Sequence, residues 1–266
     1  MLIVQRRRVQ QILWTPSQIA TAIWLDASDS SSVVTVSGAV SQWNDKSGNN
    51  RNATQGTSAR QPVYTSARLN GLNVITFDGA DDFMDITTTL FQVALGEFQL
   101  HWVFARLGAG TGSGGYGPTI STIIGTNDDG ALHYVKNTGS IGASYPFVRN
   151  AGWGNYDLAS GTQYVNNQAN IMSFTAGSTA WQVTRNGALE GGANRGSGLS
   201  SGITGLRLAQ QTAPLRTSNI YLAEIAMILS GSVSTRQLVE GYLAHKWGQV
   251  SGLPSNHPYK TAPPYV

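Results

Sequence analysis

The sequence predicts an all-β sandwich, and three observations carry that prediction. Glycine is abundant, 31 of 266 residues, well above the usual ~7%. Charged residues make up only 12% while apolar ones reach 41%; the charged share in typical soluble domains is roughly 25%. Apolar and polar residues alternate with period two in several short runs bounded by turn residues. Low charge without low hydrophobicity leaves enough apolar surface for a core and excludes an intrinsically disordered chain. Because β-sandwiches of roughly 200–250 residues form single units, one domain is expected.

Taken in order, residues 1–13 read as an arm ahead of a domain spanning 14–266. The arm carries Arg6, Arg7 and Arg8 and then an apolar run too short to own a core. Thr15-Pro16-Ser17-Gln18 combines a capping box with proline at the first helical position, which predicts a short helix to about Ala22. Over 98–104, Phe98, Leu100, Trp102 and Phe104 share one face and Gln99 and His101 the other, the pattern of a half-buried strand. Further strands are expected over 73–77, 119–124 and 171–174, and 180–185 runs into the hairpin signal Asn186-Gly187. Residues 220–229 are apolar on both faces, which predicts a central strand covered on both sides.

A second capping box, Ser234-Thr235-Arg236-Gln237, opens a helix with Leu238, Val239, Tyr242, Leu243 and Trp247 at 3.6-residue spacing. Gly248 is its stop, with Pro254 beyond. The proline-bearing tail over 253–264 is expected to wrap the surface in extended form.

The net charge of +3 does not translate into a nucleic-acid site, because the only basic run is the one in the arm. Absence of cysteine removes disulfides, thiolate nucleophiles and thiolate metal sites together. The apolar residues ahead of the arginines are too few for a secretory signal. No stretch approaches the ~18 apolar residues of a membrane span.

Several blocks carry a family resemblance: Trp24-Leu-Asp-Ala-Ser28, Trp43-Asn-Asp-Lys-Ser-Gly-Asn-Asn-Arg-Asn-Ala-Thr-Gln55, Gly71-Leu-Asn-Val-Ile-Thr-Phe-Asp-Gly-Ala-Asp-Asp-Phe83, and Leu222-Ala-Glu-Ile225 followed by Arg236-Gln-Leu-Val-Glu-Gly-Tyr-Leu-Ala-His-Lys-Trp-Gly248. Together they cover roughly 15–90 and 170–264. They resemble the concanavalin A-like, laminin G-like domains of bacteriophage structural proteins, decoration or tail-associated, and of bacterial surface proteins. The resemblance implies a two-sheet antiparallel jelly roll. It says less about function, since the same sandwich hosts lectins, glucanases and inert modules.

Asp26, Asp45, Asp78 and Asp82 sit beside turns, where aspartates cap backbone amides. Laminarinase-type glucanases of this fold carry Glu-x-Asp-x-x-Glu, and retaining chemistry needs two carboxyls about 5–5.5 Å apart. Glu97, Glu190, Glu224 and Glu240 do not have that spacing, so no catalytic residue is assigned and the chain is not expected to be an enzyme. His101, His133, His245 and His257 lack metal-ligand spacing and read as surface or hydrogen-bonded residues. No cofactor is expected; calcium has one opening, the oxygen-rich turn Asn127-Asp128-Asp129-Gly130, which competes with a plain Asp-Gly turn. The glycine-rich stretch 108–117 lacks the Gly-Lys-Ser/Thr ending of a phosphate loop. Tyr116, Tyr145, Trp153 and Tyr156 are aromatic residues in loop-like sequence, either a platform on which glycans stack or rings packed under long loops.

The function expected from the sequence is therefore a non-enzymatic virion surface protein, a bacteriophage capsid decoration or tail-associated protein that also adheres to host glycans. Its arm, through Arg6, Arg7 and Arg8, would tie it to copies of itself or to other virion structural proteins. The alternative is a lectin-like, carbohydrate-binding receptor module. A polysaccharide-degrading enzyme ranks below both for want of the acidic motif.

Overall fold

The computed structural model describes residues 11–88, 96–111, 120–126, 131–137, 144–150, 154–156, 164–194, 205–211 and 216–266, with the backbone course alone over 120–126, 131–137, 144–150, 154–156 and 193–194 and at 211 and 216. In chain order the strands are β1 (Thr21–Asp26), β2 (Val33–Val36), β3 (Ala39–Trp43), β4 (Ala53–Thr54), β5 (Val63–Leu69), β6 (Leu72–Asp78), β7 (Met84–Thr87), β8 (Phe98–Arg106), β9 (Ile120–Thr126), β10 (Ala131–Asn137), β11 (Ser144–Asn150), β12 (Gly154–Tyr156), β13 (Ala169–Ala176), β14 (Ala180–Arg185), β15 (Ala188–Asn194), β16 (Gly205–Leu208), β17 (Gln210–Gln211), β18 (Arg216–Thr217) and β19 (Asn219–Ile228). Helix α1 (Val233–Lys246) follows.

The pairings are antiparallel and build two layers. One runs β5-β6-β19-β8-β13-β14-β15, with β1 taking the place of β6 beside the second half of β19. The other runs β2-β3-β4-β7-β16-β9-β10-β11-β12. Side chains from both layers meet in one core, with Leu25, Phe77, Phe104 and Ile225 from the first against Trp43, Met84, Ile86 and Leu206 from the second. Burying each such side chain stabilises the fold by roughly 1.5–3 kcal/mol. A second apolar cluster, including Trp14, Trp24, Val103, Tyr242, Leu243 and Trp247, lies between the outer face of the first layer and α1. The all-β sandwich expected from the sequence is the observed architecture.

Four local expectations are corrected. The helix at 15–22 is only a 3-10 turn, Pro16–Gln18: the capping box forms, with Gln18 Oε1 accepting from the Thr15 amide at 2.7 Å. Ile19 is already extended, and Thr21 opens β1 because pairing with β19 supplies hydrogen bonds that an isolated short helix cannot match. Strand β8 is buried along its whole length rather than half-buried, since α1 covers the face that bears Gln99 and His101. Those polar side chains are satisfied there: Gln99 Nε2 donates to the Ser232 carbonyl at 2.7 Å, and His101 bonds Ser173 Oγ at 2.9 Å and Gln99 Oε1 at 3.1 Å.

The cap of α1 is Ser232, two residues upstream of the expected box, its Oγ accepting from the Thr235 amide at 3.1 Å. The tail is not extended: it folds through turns and is pinned by Lys260 Nζ, which donates to the carbonyls of Val250, Ser251 and Leu253. The tail then returns to the start of the domain, where Tyr265 bridges Leu13 and the Val266 amide donates to the Ile12 carbonyl at 2.9 Å.

Other expectations hold. Strands cover 73–77, 171–174 and 180–185, and Asn186 and Gly187 both take positive φ in the hairpin turn. That glycine also lies under the tail, where an added Cβ would meet His257, Pro254 and Leu253. β19 is buried on both faces, and Gly248 ends the helix with φ +70°.

Candidate functional site

The geometry of the site begins with a bulge. Between Leu222 and Glu224 the register of β19 against β8 slips by one residue. Before the slip, Leu222 faces the inter-sheet core and Tyr221 and Ala223 face α1; after it, Ile225 faces the core and Ala226 faces α1. A bulge re-aims side chains in this way, and here it delivers Glu224 to the α1 side. On the neighbouring strand Trp24 and Asp26, two residues apart, share that face, and Asp26 stands directly opposite Glu224.

Glu224 is fully buried and has four partners. Its Oε1 accepts from Trp24 Nε1 at 2.7 Å and from the Tyr242 hydroxyl at 2.8 Å. Its Oε2 accepts from Lys246 Nζ and Trp247 Nε1, both at 2.7 Å. Burial pushes this carboxyl above the ordinary glutamate range while the Lys246 charge pulls it back. All four of its hydrogen-bond partners are donors, which favour the charged form against burial and the facing Asp26 charge. Burial, with the Glu224 charge behind it, pushes the Tyr242 phenol far up, which keeps it a donor.

Above this floor opens a pocket of about 650 Å³. Trp24 and Asp26 of β1 form its base, and Tyr242, His245 and Lys246 from the last turns of α1 form one wall. Ser28, Asp29 and Lys46 form the other, and the paired chain ends supply the rim with Leu13, Trp14, Thr15, Pro263 and Pro264. Trp14 and Tyr242 meet edge to face, with centroids 5.7 Å apart at 77°. Lys46 Nζ sits 4.5 Å from the centroid of the Trp24 ring, within cation–π range.

Two ammoniums organise the acids. Lys246 Nζ lies 2.7 Å from Asp26 Oδ1 and 2.7 Å from Glu224 Oε2. Lys46 Nζ lies 2.9 Å from Asp26 Oδ2 and 2.8 Å from Asp29 Oδ2. Burial works against the Asp26 charge, but the Lys246 ammonium and the hydrogen bonds from Lys246, Ser28 and Lys46 outweigh it and hold the carboxyl below its usual value. Hydrogen bonds from Lys46 and Ser31 bring Asp29 down to about 2. Burial opposes the Lys46 charge, and its bonds to Asp29 and Asp26 raise it regardless. The result is an aromatic-walled cavity with a charged edge, in which two ammoniums bridge three carboxylates.

Of the residues singled out in the sequence, Asp26, Glu224 and His245 belong to this site. Arg6, Arg7, Arg8, Tyr116, Asn127, Asp128, Asp129 and Trp153 lie outside the described residues. Tyr145 and Tyr156 are on β11 and β12 rather than in loops, and Tyr156 pairs with Val148. The glycines and asparagines around them disguised strand pairing as loop. The turn aspartates do cap amides: Asp45 Oδ1 accepts from the amides of Trp24 and Ser47 at 2.9 Å each, and Asp78 Oδ1 from that of Ala80 at 2.8 Å. Asp78, Asp81 and Asp82 bring carboxylate oxygens within 4.8 Å of one another. Burial, followed by the charges of Asp78 and Asp81, pushes Asp82 up to about 6.

No family model matches the chain, and no curated protein matches it. Solved structures do. Over 81% of this chain it superposes on 32% of a Trypanosoma rangeli sialidase in complex with sialic acid, at TM-score 0.52 and 14% identity. Domain 4 of AbnA, a GH43 extracellular arabinanase from Geobacillus stearothermophilus solved in complex with arabinotriose, matches over 78% of this chain and 91% of its own, at TM-score 0.52 and 12% identity. The binding domain of Paraclostridial Mosquitocidal Protein 1 matches over 84% and 51%, at TM-score 0.55 and 10% identity. The chain spans about a third of the sialidase's length. At these identities the likeness is one of fold.

Proposed function

We propose that the chain is a non-enzymatic, carbohydrate-binding β-sandwich module, and that the pocket between the end of β1, α1 and the paired chain ends is its sugar site. The observation that carries this reading is an aromatic wall, Trp14 with Tyr242, joined to a rigid edge of donors and acceptors at Asp29 and Lys46. Sugars present apolar ring faces and polar rims, and pockets that bind small molecules pair apolar walls with a few fixed polar groups. A sandwich of the same fold is solved with arabinotriose in domain 4 of AbnA, and another serves as a toxin's binding domain.

The non-enzymatic part rests on how the acids are held. Asp26 and Glu224 converge on one ammonium, yet Glu224 is buried with both oxygens bonded, and Asp26 is tied to two lysines. Neither is a free general acid. The setting proposed is the surface of a virion, as a capsid decoration or tail-associated protein; its support is the family resemblance of the sequence blocks.

A glycan panel probed with the intact chain, with Trp14→Ala and with Lys46→Met tests the site. The expected result is saturable binding by the intact chain that each variant weakens tenfold or more while still melting cooperatively. Unchanged binding by both variants would move the site elsewhere, and release of reducing ends from any bound glycan would overturn the non-enzymatic part. For the virion setting, removal of residues 1–10 is the sound truncation, since Ile12 and Leu13 hold the tail; it should abolish attachment to particles and leave the fold intact.

A further inference from the structure

Resting on the reading of this pocket as a sugar site, we infer that it selects uncharged sugars presenting two neighbouring hydroxyls, and that it rejects sugars bearing a carboxylate or phosphate. The selecting element is the Lys46–Asp29 pair at the pocket mouth. Asp29 Oδ1 is taken by the amide of Ser31 at 3.1 Å and its hydroxyl at 2.6 Å, which fixes the carboxylate plane. Asp29 Oδ2 meets Lys46 Nζ at 2.8 Å and, with the side chain 34% exposed, keeps lone-pair capacity toward the cavity.

Lys46 Nζ has three donors and commits two of them, to Asp26 and Asp29. One acceptor and one donor therefore stand side by side, 2.8 Å apart, on the same edge. That separation matches the distance between oxygens on adjacent carbons of a sugar ring. One hydroxyl of a vicinal pair donates to Asp29 Oδ2 and its neighbour accepts from Lys46, while the apolar face of the sugar meets one of the two near-perpendicular rings, Trp14 or Tyr242. A ligand with a single hydroxyl fills half of the pair and leaves the other group desolvated without a partner, which is a strong ground for discrimination.

Rejection of anions follows from the pairing of the lysines. A pocket that captures an anion needs a cation with charge to spare. Here each ammonium already bridges two carboxylates, Lys46 between Asp26 and Asp29 and Lys246 between Asp26 and Glu224. The remaining imidazole on the cavity wall, that of His245, donates its Nε2–H to the Tyr259 carbonyl at 2.8 Å, so that nitrogen is not offered to a ligand. An incoming carboxylate would meet Asp29 at the mouth and Asp26 below it with no unmatched positive charge to offset them. Juxtaposed like charges of this kind act as a specificity element.

The test is calorimetric titration of the intact chain with neutral arabinotriose and cellotriose, their monodeoxy analogues lacking one hydroxyl of a vicinal pair, and acidic trigalacturonate and sialyllactose, at low and moderate salt. At least one neutral sugar should bind, its deoxy analogue should bind tenfold or more weakly, and the acidic sugars should bind tenfold or more weakly than the neutral one, most clearly at low salt. Asp29→Asn, a half-buried position at which an oxygen remains for the Ser31 bonds, should cost the neutral sugar tenfold or more and relax the bar against the acidic ones. Acidic sugars binding as tightly as neutral ones, or an Asp29→Asn protein with unaltered preference, would overturn the inference and leave the sugar site standing. No binding by any sugar, with Trp14→Ala likewise silent, would instead remove the reading beneath it.

Discussion

Asp26 and Glu224 stand directly opposite each other on paired antiparallel strands, and a single ammonium, that of Lys246, lies 2.7 Å from an oxygen of each. Like charges in that relation destabilise a sheet, so the lysine at the end of α1 is what allows both acids to face the helix. The helix is docked on the sheet by charge as well as by its apolar face.

Replacing Lys246 with methionine keeps most of the stem's packing and removes the charge. Breaking a buried ionic group by removing one partner typically destabilises by about 3–5 kcal/mol, and the loss here should fall in that range. Urea unfolding of Lys246→Met alone and combined with Glu224→Gln measures it. The second change should recover part of the loss, because it removes one of the two facing charges; no recovery would mean that the damage lies in packing rather than in facing charges.

His101 gives the fold a dependence on acid. Burial, modified by an attractive Glu240 and a repulsive Arg236, brings its value down to about 4 from 6.5. Its folded value lies below the unfolded one, so the unfolded chain takes up the proton first as pH falls. Stability from this residue is complete above 6.5, declines between 6.5 and 4 and levels off below. The total is on the order of 3 kcal/mol. Unfolding curves of the intact chain and of His101→Gln across that range should converge as pH falls.

Asp82 acts in the opposite sense. Its folded value of about 6 exceeds the ordinary 3.8, so the folded state favours the proton and loses stability as pH rises from 4 to 6. Asp82→Asn keeps an acceptor for the Asp78 amide, which Asp82 Oδ2 now receives at 3.0 Å. At pH 7 to 8 the variant should be more stable by about 1 kcal/mol, after allowance for solvent screening. The advantage should vanish below pH 4, and thermal melts at the two pH values check both statements.

Gly241 lies in the middle of α1, where alanine would ordinarily gain up to about 1 kcal/mol in helix propensity. An added Cβ would sit 2.5 Å from the Cβ of Tyr259 in the tail. Overpacking of that kind costs about 1–3 kcal/mol, so Gly241→Ala should be neutral to destabilising. In a Tyr259→Gly background, which removes the clashing Cβ together with the ring, the cost of Gly241→Ala should shrink or reverse, which a double-mutant cycle reads directly.

Alternation and turn chemistry made β8, β14, the Asn186-Gly187 hairpin, β19 and α1 legible in the sequence. What stayed hidden depended on distant partners. The capping box predicted helix to about Ala22, where β1 in fact begins at Thr21, because β19, the strand that claims those residues, is remote in the chain. Gln99 and His101 read as solvent-facing because nothing near them announces a helix overhead.

Pocket residues lay in plain view as fold markers: Trp24, Asp26, Lys46, Glu224 and Lys246 all belong to the blocks that carry the family resemblance. The one local sign was Glu224 itself, a lone charge inside the apolar run 220–229, since a buried charge requires a partner. The bulge that aims it adds one residue to an otherwise regular alternation, and hydrophobic periodicity does not register it.

The position of β19 also sets a schedule for the molecule. It is the strand that β1, β6 and β8 all pair with, yet Trp24 and Glu224, bonded in the finished fold, are separated by 200 positions in the chain. Synthesis proceeds from the N-terminus, so the three flanking strands emerge long before the one that unites them, and loop closure over such distances is slow. Until β19 is made, β1, β6 and β8 each lack the partner on one edge, and the cavity, whose rim needs Pro263 and Pro264, forms only after that strand is in place.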